Sequence, residues 1–154
     1  MVPIRWPHSL AASAVLSSHG SRFIAYASPL PLPDLVPDFL AHAKSLPALR
    51  RATHLMYAYR TPTASGSHDG GERGAGERLH RLLHLRQENN VLVLVARWYG
   101  GVKLGPQRWK CISQVAKEAL DNLHPHRDDC MLPWQLSCLE LTFSSALYHE
   151  NRMW

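Results

Sequence analysis

The sequence is short of the features that mark several large protein classes. None of its apolar runs approaches the ~20 residues that a membrane-crossing helix needs, so neither a spanning segment nor a membrane partner is expected. There are only three cysteines, Cys111, Cys130 and Cys138. The count is odd and no two stand in a C-x-x-C pair, so neither a disulfide framework nor a structural metal site is read. Three free thiols in a reducing compartment are expected, which fits a cytoplasmic protein. No G-x-S-x-G elbow, Walker loop, H-E-x-x-H pair or kinase-type phosphate loop is present, and no internal repeat. No acidic residue precedes Asp34. That leading segment, with Arg5, Arg22 and several serines, has something of a transit-peptide composition. Pro3 and Pro7 spoil the amphipathic helix such a peptide needs, and residues 1–12 are read as a loose, irregular N-terminus.

What is present is enough chain for one domain with a proper core, at 154 residues. The net charge is +5 with histidines neutral and the sequence pI is about 9.4. This balance favours acidic partners such as RNA, ribosomes or acidic protein surfaces, without specifying one.

The chain is organised around residues 91–108, VLVLVARWYGGVKLGPQR. The first six are apolar, dominated by Val and Leu, with nothing polar alternating. Such a run reads as a central strand buried on both faces. Gly100 and Gly101, free to take positive φ, end it in a sharp turn. Gly105 and Pro106 open a helix, since proline at the first helical position gives up a donor that would be orphaned anyway. Arg97, Trp98, Tyr99, Lys103 and Arg108 cluster on this turn, where cations and aromatics could meet phosphates, stacked bases or a protein partner.

Around it, residues 13–16 and 22–28 suggest a strand hairpin. Prolines at 29–33 mark a connector. Asp34 is placed to cap a helix whose stripe is Leu35, Phe39, Ala43 and Leu46. Residues 53–60 read as a strand, 61–71 as a loop, 72–85 as a helix and 106–120 as the last helix, burying Trp109, Ile112 and Ala119. The order β-β-α-β-α-β-α predicts an α+β domain over residues 13–120: a two-layer mixed sheet of about four strands with helices packed on it. From residue 121 the pattern dissolves. Residues 121–154 are read as a divergent tail, with a short strand or helix at 139–143 and no assigned role.

Two clusters could carry chemistry. Asp69 and Glu72, with His54 and His68, lie in a glycine-rich loop and could hold a divalent metal or do acid–base work. Helix-terminus chemistry competes: Asp69 as a cap, Glu72 in the first turn, or Glu72 paired with Arg97 or Lys103. Gly74, Ala75 and Gly76 supply small residues where helix and sheet approach. His80 and His84 have ligand spacing but no third ligand. The second cluster is basic and aromatic: Arg97, Lys103, Arg108 and Lys110 beside Trp98, Tyr99 and Trp109, the last on an apolar stripe and therefore core.

RWYGGVKLGPQRW resembles the R-[WYF]-[YF]-G-G-x-x-L-G-x-x-[RL] signature of the IMPACT family. DGGERGAGERL at residues 69–79 resembles that family's D-D-G-E-x-x-A-G-x-x-L, with Gly70 in place of the second aspartate. Ala52-Thr53-His54 with Tyr57-Ala58-Tyr59-Arg60 resembles A-T-H-x-x-Y-A-Y-R, and Ser21-Arg22-Phe23-Ile24-Ala25 resembles S-x-F-I-A. These motifs follow in the family's order over about residues 14 to 120. The resemblance implies the fold of the second domain of small-subunit ribosomal protein five, shared with elongation factor G domain four. It implies a eukaryotic, stand-alone form of the domain, without the RWD domain of its relatives. It also implies a non-enzymatic role in translational control and stress response. In the eukaryotic relatives that role is to bind the ribosome-associated activator of the kinase that phosphorylates initiation factor two, and so restrain the kinase; actin binding is associated with them too.

The expectation is therefore a binding domain with no cofactor and a translation-control or ribosome-associated protein as partner. Its surface is Arg97, Trp98, Tyr99, Gly100, Gly101, Lys103, Gly105 and Arg108, with Asp69, Glu72 and Gly76 as the neighbouring loop. Reversing the charges of Arg97 and Lys103 is expected to abolish binding and leave stability nearly unchanged. The alternative is an RNA- or ribosome-binding domain using the same basic turn from Arg97 to Lys103. The third reading is a phosphate- or metal-dependent enzyme at Asp69 and Glu72. The oligomeric state is not read.

Overall fold

The apolar run of residues 91–96 lies at the middle of a sheet covered on both faces. The computed structural model describes residues 5–125. Its strands are β1 (Ala11–Ala12), β2 (Leu16–Ser18), β3 (Ser21–Pro29), β4 (His54–Arg60), β5 (Ser65–His68) and β6 (Val91–Trp98). Its helices are α1 (Val36–Ser45), α2 (Ala75–Leu85) and α3 (Gln107–Leu123). The strands run β1-β3-β6-β4-β5, with β2 also paired to β3, and each pairing is antiparallel. Compact packing divides the chain into Met1–Leu123 and His124–Trp154. The expectations for residues 139–143, Cys130, Cys138 and the rest of the tail after 125 lie outside the described residues. Among those described, no helix is long and apolar enough to cross a membrane, and Cys111 is a buried free thiol.

Alternation along β6 explains the coverage, because successive side chains of a strand point to opposite faces. Val91, Val93 and Val95 join one core with Phe23, Met56, Leu79 and Leu83, and with Ile112, Val115 and Leu120 of α3. Leu92, Leu94 and Ala96 join the other, with Trp6, Leu30 and Phe39 of α1. The α+β class stands, with helices packed on the sheet. Three details of the expectation are corrected among the described residues. The sheet is antiparallel throughout rather than mixed, with six strands rather than about four. It also lies between two covering layers rather than in a two-layer stack. An unbroken apolar strand reports that both faces are covered; it carries no information on strand direction.

Other differences have local causes. β5 lies inside the expected loop of residues 61–71 and pairs with β4, where Tyr59 stands opposite Gly66. Helix α2 starts at Ala75, not 72, because Gly74 is left-handed at φ 82°. A short 3-10 turn, Pro33–Leu35, precedes α1, and Asp34 makes no capping bond there. Residues 5–10 are irregular in path but docked, and residues 11–12, expected to be irregular too, form β1 against β3. The Trp6 ring is 6% exposed, meets Phe39 edge-on at 5.2 Å, and donates from Nε1 to Ser28 Oγ at 2.7 Å.

Trp6 therefore belongs to the core. Trp6→Ala is expected to cost about 3–5 kcal/mol in chemical denaturation, the usual range for emptying a buried aromatic site. A loss below ~1 kcal/mol would mean that the N-terminal segment rests on the sheet without supporting it.

Candidate functional site

Glu72 is the centre of the site. It lies in the loop before α2, 3% exposed. Arg97, near the end of β6 and 4% exposed, donates to its Oε2. Arg108, in the first turn of α3, donates to its Oε1 at 2.8 Å. His54 Nε2 is 3.8 Å from Oε2, and the other ring nitrogen of His54 is 3.2 Å from the carbonyl oxygen of Gly70. One carboxylate thus joins the loop before α2, the end of β6 and the start of α3. The Arg97 guanidinium also lies over the rings of Phe23 and Tyr99, at 5.4 and 5.5 Å.

The turn between β6 and α3 hangs from these anchors. Tyr99 N–H donates to Thr53 Oγ1 at 3.0 Å, and Gly100 N–H to Ser21 Oγ at 3.1 Å. Gly100 is needed for close approach rather than for positive φ. A Cβ there would stand 2.0 Å from the carbonyl carbon of Gly20, whereas Gly101 is the left-handed residue at φ 88°. Trp98 is half-buried and donates from Nε1 to the Arg50 carbonyl at 3.2 Å. Outward, Tyr99 is 44% and Val102 50% exposed. Lys103 is exposed and makes no ion pair among the described residues, and Gly101 and Gly105 are exposed beside it.

The neighbouring loop is closed by Asp69. Its two carboxylate oxygens accept from the N–H groups of Gly74 (3.0 Å) and Gly76 (2.8 Å) at the start of α2. Those bonds, with lesser help from His68 and Arg73, hold its carboxyl below the ordinary aspartate range. Gly76 packs against the backbone of His68, which a Cβ would approach to 2.7 Å. Gly70, where the family pattern has aspartate, sits at φ 55°, and a Cβ would come 1.9 Å from the Leu55 carbonyl oxygen. Glycine at this position lets the loop lie directly on β4.

The sequence-predicted residues therefore separate. Tyr99, Gly101, Lys103 and Gly105 form the exposed face of the turn. Arg97 and Arg108 do not stand with them as free charge, because both are committed to Glu72. The expectation of an exposed Arg97 is corrected on that ground, and with it the expectation that reversing its charge spares stability. Asp69 and Glu72 spend their oxygens on internal donors, and no group of three or more His, Cys, Asp or Glu among the described residues is placed to hold a metal. Trp109 is half-buried rather than core, with Arg78 and Arg108 over its ring at 4.9 and 4.3 Å. Sequence reasoning passed over Ser21 and Thr53 as holders of the turn, although both sit in the motifs quoted above. It also passed over Val102, whose signal is an apolar residue between Gly101 and Lys103.

Residues 19–120 match the Impact N-terminal domain. The chain belongs to the IMPACT family. Protein IMPACT of Rattus norvegicus is 37% identical over 117 residues, 72% of this chain and 37% of that protein. Protein IMPACT homolog of Saccharomyces cerevisiae is 36% identical over 115 residues, 71% of this chain and 45% of the homolog. The chain thus spans less than half the length of these relatives. A crystal structure described as that of a hypothetical protein superposes with a TM-score of 0.63 at 22% identity, covering 75% of this chain and 61% of that one, a likeness of fold. A structure described as that of the two-domain translational regulator Yih1 aligns at 31% identity and a TM-score of 0.49, covering 78% of this chain and 50% of the other.

Two outcomes follow from the buried cluster. Glu72→Gln leaves two guanidinium groups without their anion and is expected to cost roughly 3–5 kcal/mol, whereas Lys103→Glu should change stability by less than about 0.5 kcal/mol. Urea denaturation of the two variants checks this, and equal losses would contradict the assignment. For Asp69 the sign follows from its lowered folded-state pKa: the contribution is present above the unfolded pKa and is lost as pH falls toward the folded value. The stability gap between the wild type and Asp69→Asn should be full at neutral pH and shrink below about pH 4. A gap independent of pH, measured by thermal unfolding across pH 2 to 7, would show that the charge plays no part in the cap.

Proposed function

We propose that the chain is a non-enzymatic binding domain in the regulation of translation. Its contact surface is the β6–α3 turn with the Asp69 to Gly76 loop as neighbour. The observation that carries the reading is an aromatic and an aliphatic side chain, Tyr99 and Val102, both exposed on the same turn as Lys103, a turn anchored at both ends. Such a surface offers contact area at little conformational cost, which suits a protein partner. Family membership supplies the setting. By resemblance, the partner is the ribosome-associated activator of the kinase that phosphorylates initiation factor two, and binding restrains that kinase under stress, in the cytoplasm.

The RNA-binding alternative required a basic turn from Arg97 to Lys103. With Arg97 and Arg108 turned inward to Glu72, Lys103 is the free cation left on the turn itself, too little charge for a phosphate track. The enzyme reading required carboxylates at Asp69 and Glu72 that are engaged with the α2 backbone and the two arginines.

The test is a pull-down from cell extract with tagged full chain, with and without RNase. A triple variant, Tyr99→Ala, Val102→Ser and Lys103→Glu, is run beside the wild type. The expected result is that the kinase activator or ribosomal proteins are retained after RNase and lost with the triple variant, whose melting temperature stays within about 2 °C of the wild type. A catch that disappears with RNase would move the function to RNA. A catch that survives the triple variant would move it off this turn.

A further inference from the structure

The outer face of the α2–α3 layer carries a groove that the turn does not use. Two shallow cavities of about 500 Å³ each lie along it and share Arg78, Trp109, Ser113 and Lys117. Its apolar lining is Leu82 and Leu85 in one cavity and Trp109 in both, with the Arg78 guanidinium over the Trp109 ring. Leu85 is 69% exposed, and Leu82 and Trp109 are half-buried. An exposed leucine beside a half-open tryptophan is a patch of the kind that proteins cover on binding. The rim is basic. Arg81, Lys110 and Lys117 are exposed and make no ion pair among the described residues.

Carboxylates on the same groove are mostly committed elsewhere. Glu118 Oε1 accepts the Ala14 N–H at 2.9 Å. Asp121 accepts from Arg86 at 2.5 Å. Glu77 alone has no internal bond. With Asp121 paired to Arg86, the groove sets Arg78, Arg81, Lys110 and Lys117 against Glu77 and Glu118, whose bond to a neutral N–H leaves its charge in place, so the balance beside Leu82, Leu85 and Trp109 is positive. Helix α2, with 11 residues, runs about 16 Å, the length of three helical turns.

We propose that this groove is a second docking surface, which takes an acidic amphipathic helix of a protein partner. The apolar stripe of that helix lies on Leu82, Leu85 and Trp109, and its carboxylates face Arg81, Lys110 and Lys117. Helix-in-groove recognition uses this division of labour, with anchors at i, i+3 or i+4, and i+7. A nucleic-acid backbone fits less well. It would leave Leu82 and Leu85 without contacts and bring phosphates against Glu77. The inference rests on the groove alone and is independent of the role proposed for the turn.

The test is fluorescence anisotropy of the full chain with a small panel of labelled peptides of about 14 residues. Each carries Leu, Phe or Trp anchors in a helical stripe on a glutamate-rich background. The controls are scrambled versions of equal composition and a single-stranded RNA of similar length. The expected result is saturable binding of at least one striped peptide, weakened at least tenfold by Arg81→Glu with Lys117→Glu and also by Leu85→Ser. The triple variant of the turn should bind it normally, so failure here and failure of the turn's role are told apart. The substituted residues are exposed, and unchanged melting temperatures confirm that the fold persists. The proposal is overturned if no striped peptide binds or if scrambled peptides bind equally well. It is also overturned if the RNA binds and is the ligand that the double reversal releases.

Discussion

The site depends on one carboxylate held between two guanidinium groups. Arg97 and Arg108 stand on either side of the β6–α3 turn in sequence, and both donate to Glu72. The ends of the turn are thereby fixed to one point beneath it. A buried ion pair seldom adds net stability over an apolar replacement of the same shape, because desolvation offsets the attraction. Its contribution here is geometric. Once Arg97 is buried, it must be paired, and the loop before α2 brings the anion. That loop is in turn held by Asp69 on the α2 backbone and by Gly70 lying on β4. The exposed Tyr99 and Val102 stand on this support, so little freedom remains to be lost on binding.

Much of this architecture was legible because the physical signal is local. An unbroken run of Val and Leu between a polar turn and a pair of glycines has few solutions other than a strand covered on both sides. Asp69 before a glycine-rich helix start reads as a cap by the same kind of rule, and the structure has it accepting two backbone donors there. What was not legible depends on distant partners. β5 is a four-residue strand of Ser, Gly, Ser and His, a composition that reads as loop, and only the facing edge of β4 makes it a strand. Gly70 and Gly100 are visible as glycines, but the backbone each one touches belongs to another element. Trp6 sits in a proline-punctuated segment whose local pattern gives no hint that its ring enters the core.

Arg97 is the clearest case. An arginine next to a glycine turn is exposed by base rate, and no local rule identifies a carboxylate 25 residues upstream as its partner. Pairing with Glu72 was one of the readings open in the sequence, conditional on loop and turn meeting. The antiparallel neighbours β4 and β6 bring them together. His54 lies opposite Arg97 in the ladder, and the loop that follows β5 returns Glu72 to the same end of the sheet.

This pairing also redistributes the charge of the chain. Read along the sequence, Arg97, Lys103, Arg108 and Lys110 form one basic surface. In the fold they part company. Arg97 is neutralised inside, Arg108 is paired to the same carboxylate with its side chain partly exposed, Lys103 stays on the turn, and Lys110 lies along the α2–α3 groove with Arg81 and Lys117. Screening acts on exposed charge far more than on buried pairs. Salt therefore has different effects on the parts of the molecule. The Glu72 cluster should be nearly indifferent to it. Contact through Tyr99 and Val102, with one lysine beside them, depends on it weakly. The groove, where Arg78, Arg81, Lys110 and Lys117 outnumber Glu77 and Glu118, depends on it most. A net charge that looks like a single property of the sequence is thus, in three dimensions, an internal brace and two surfaces of different electrostatic character. It is the burial of Glu72 that divides them.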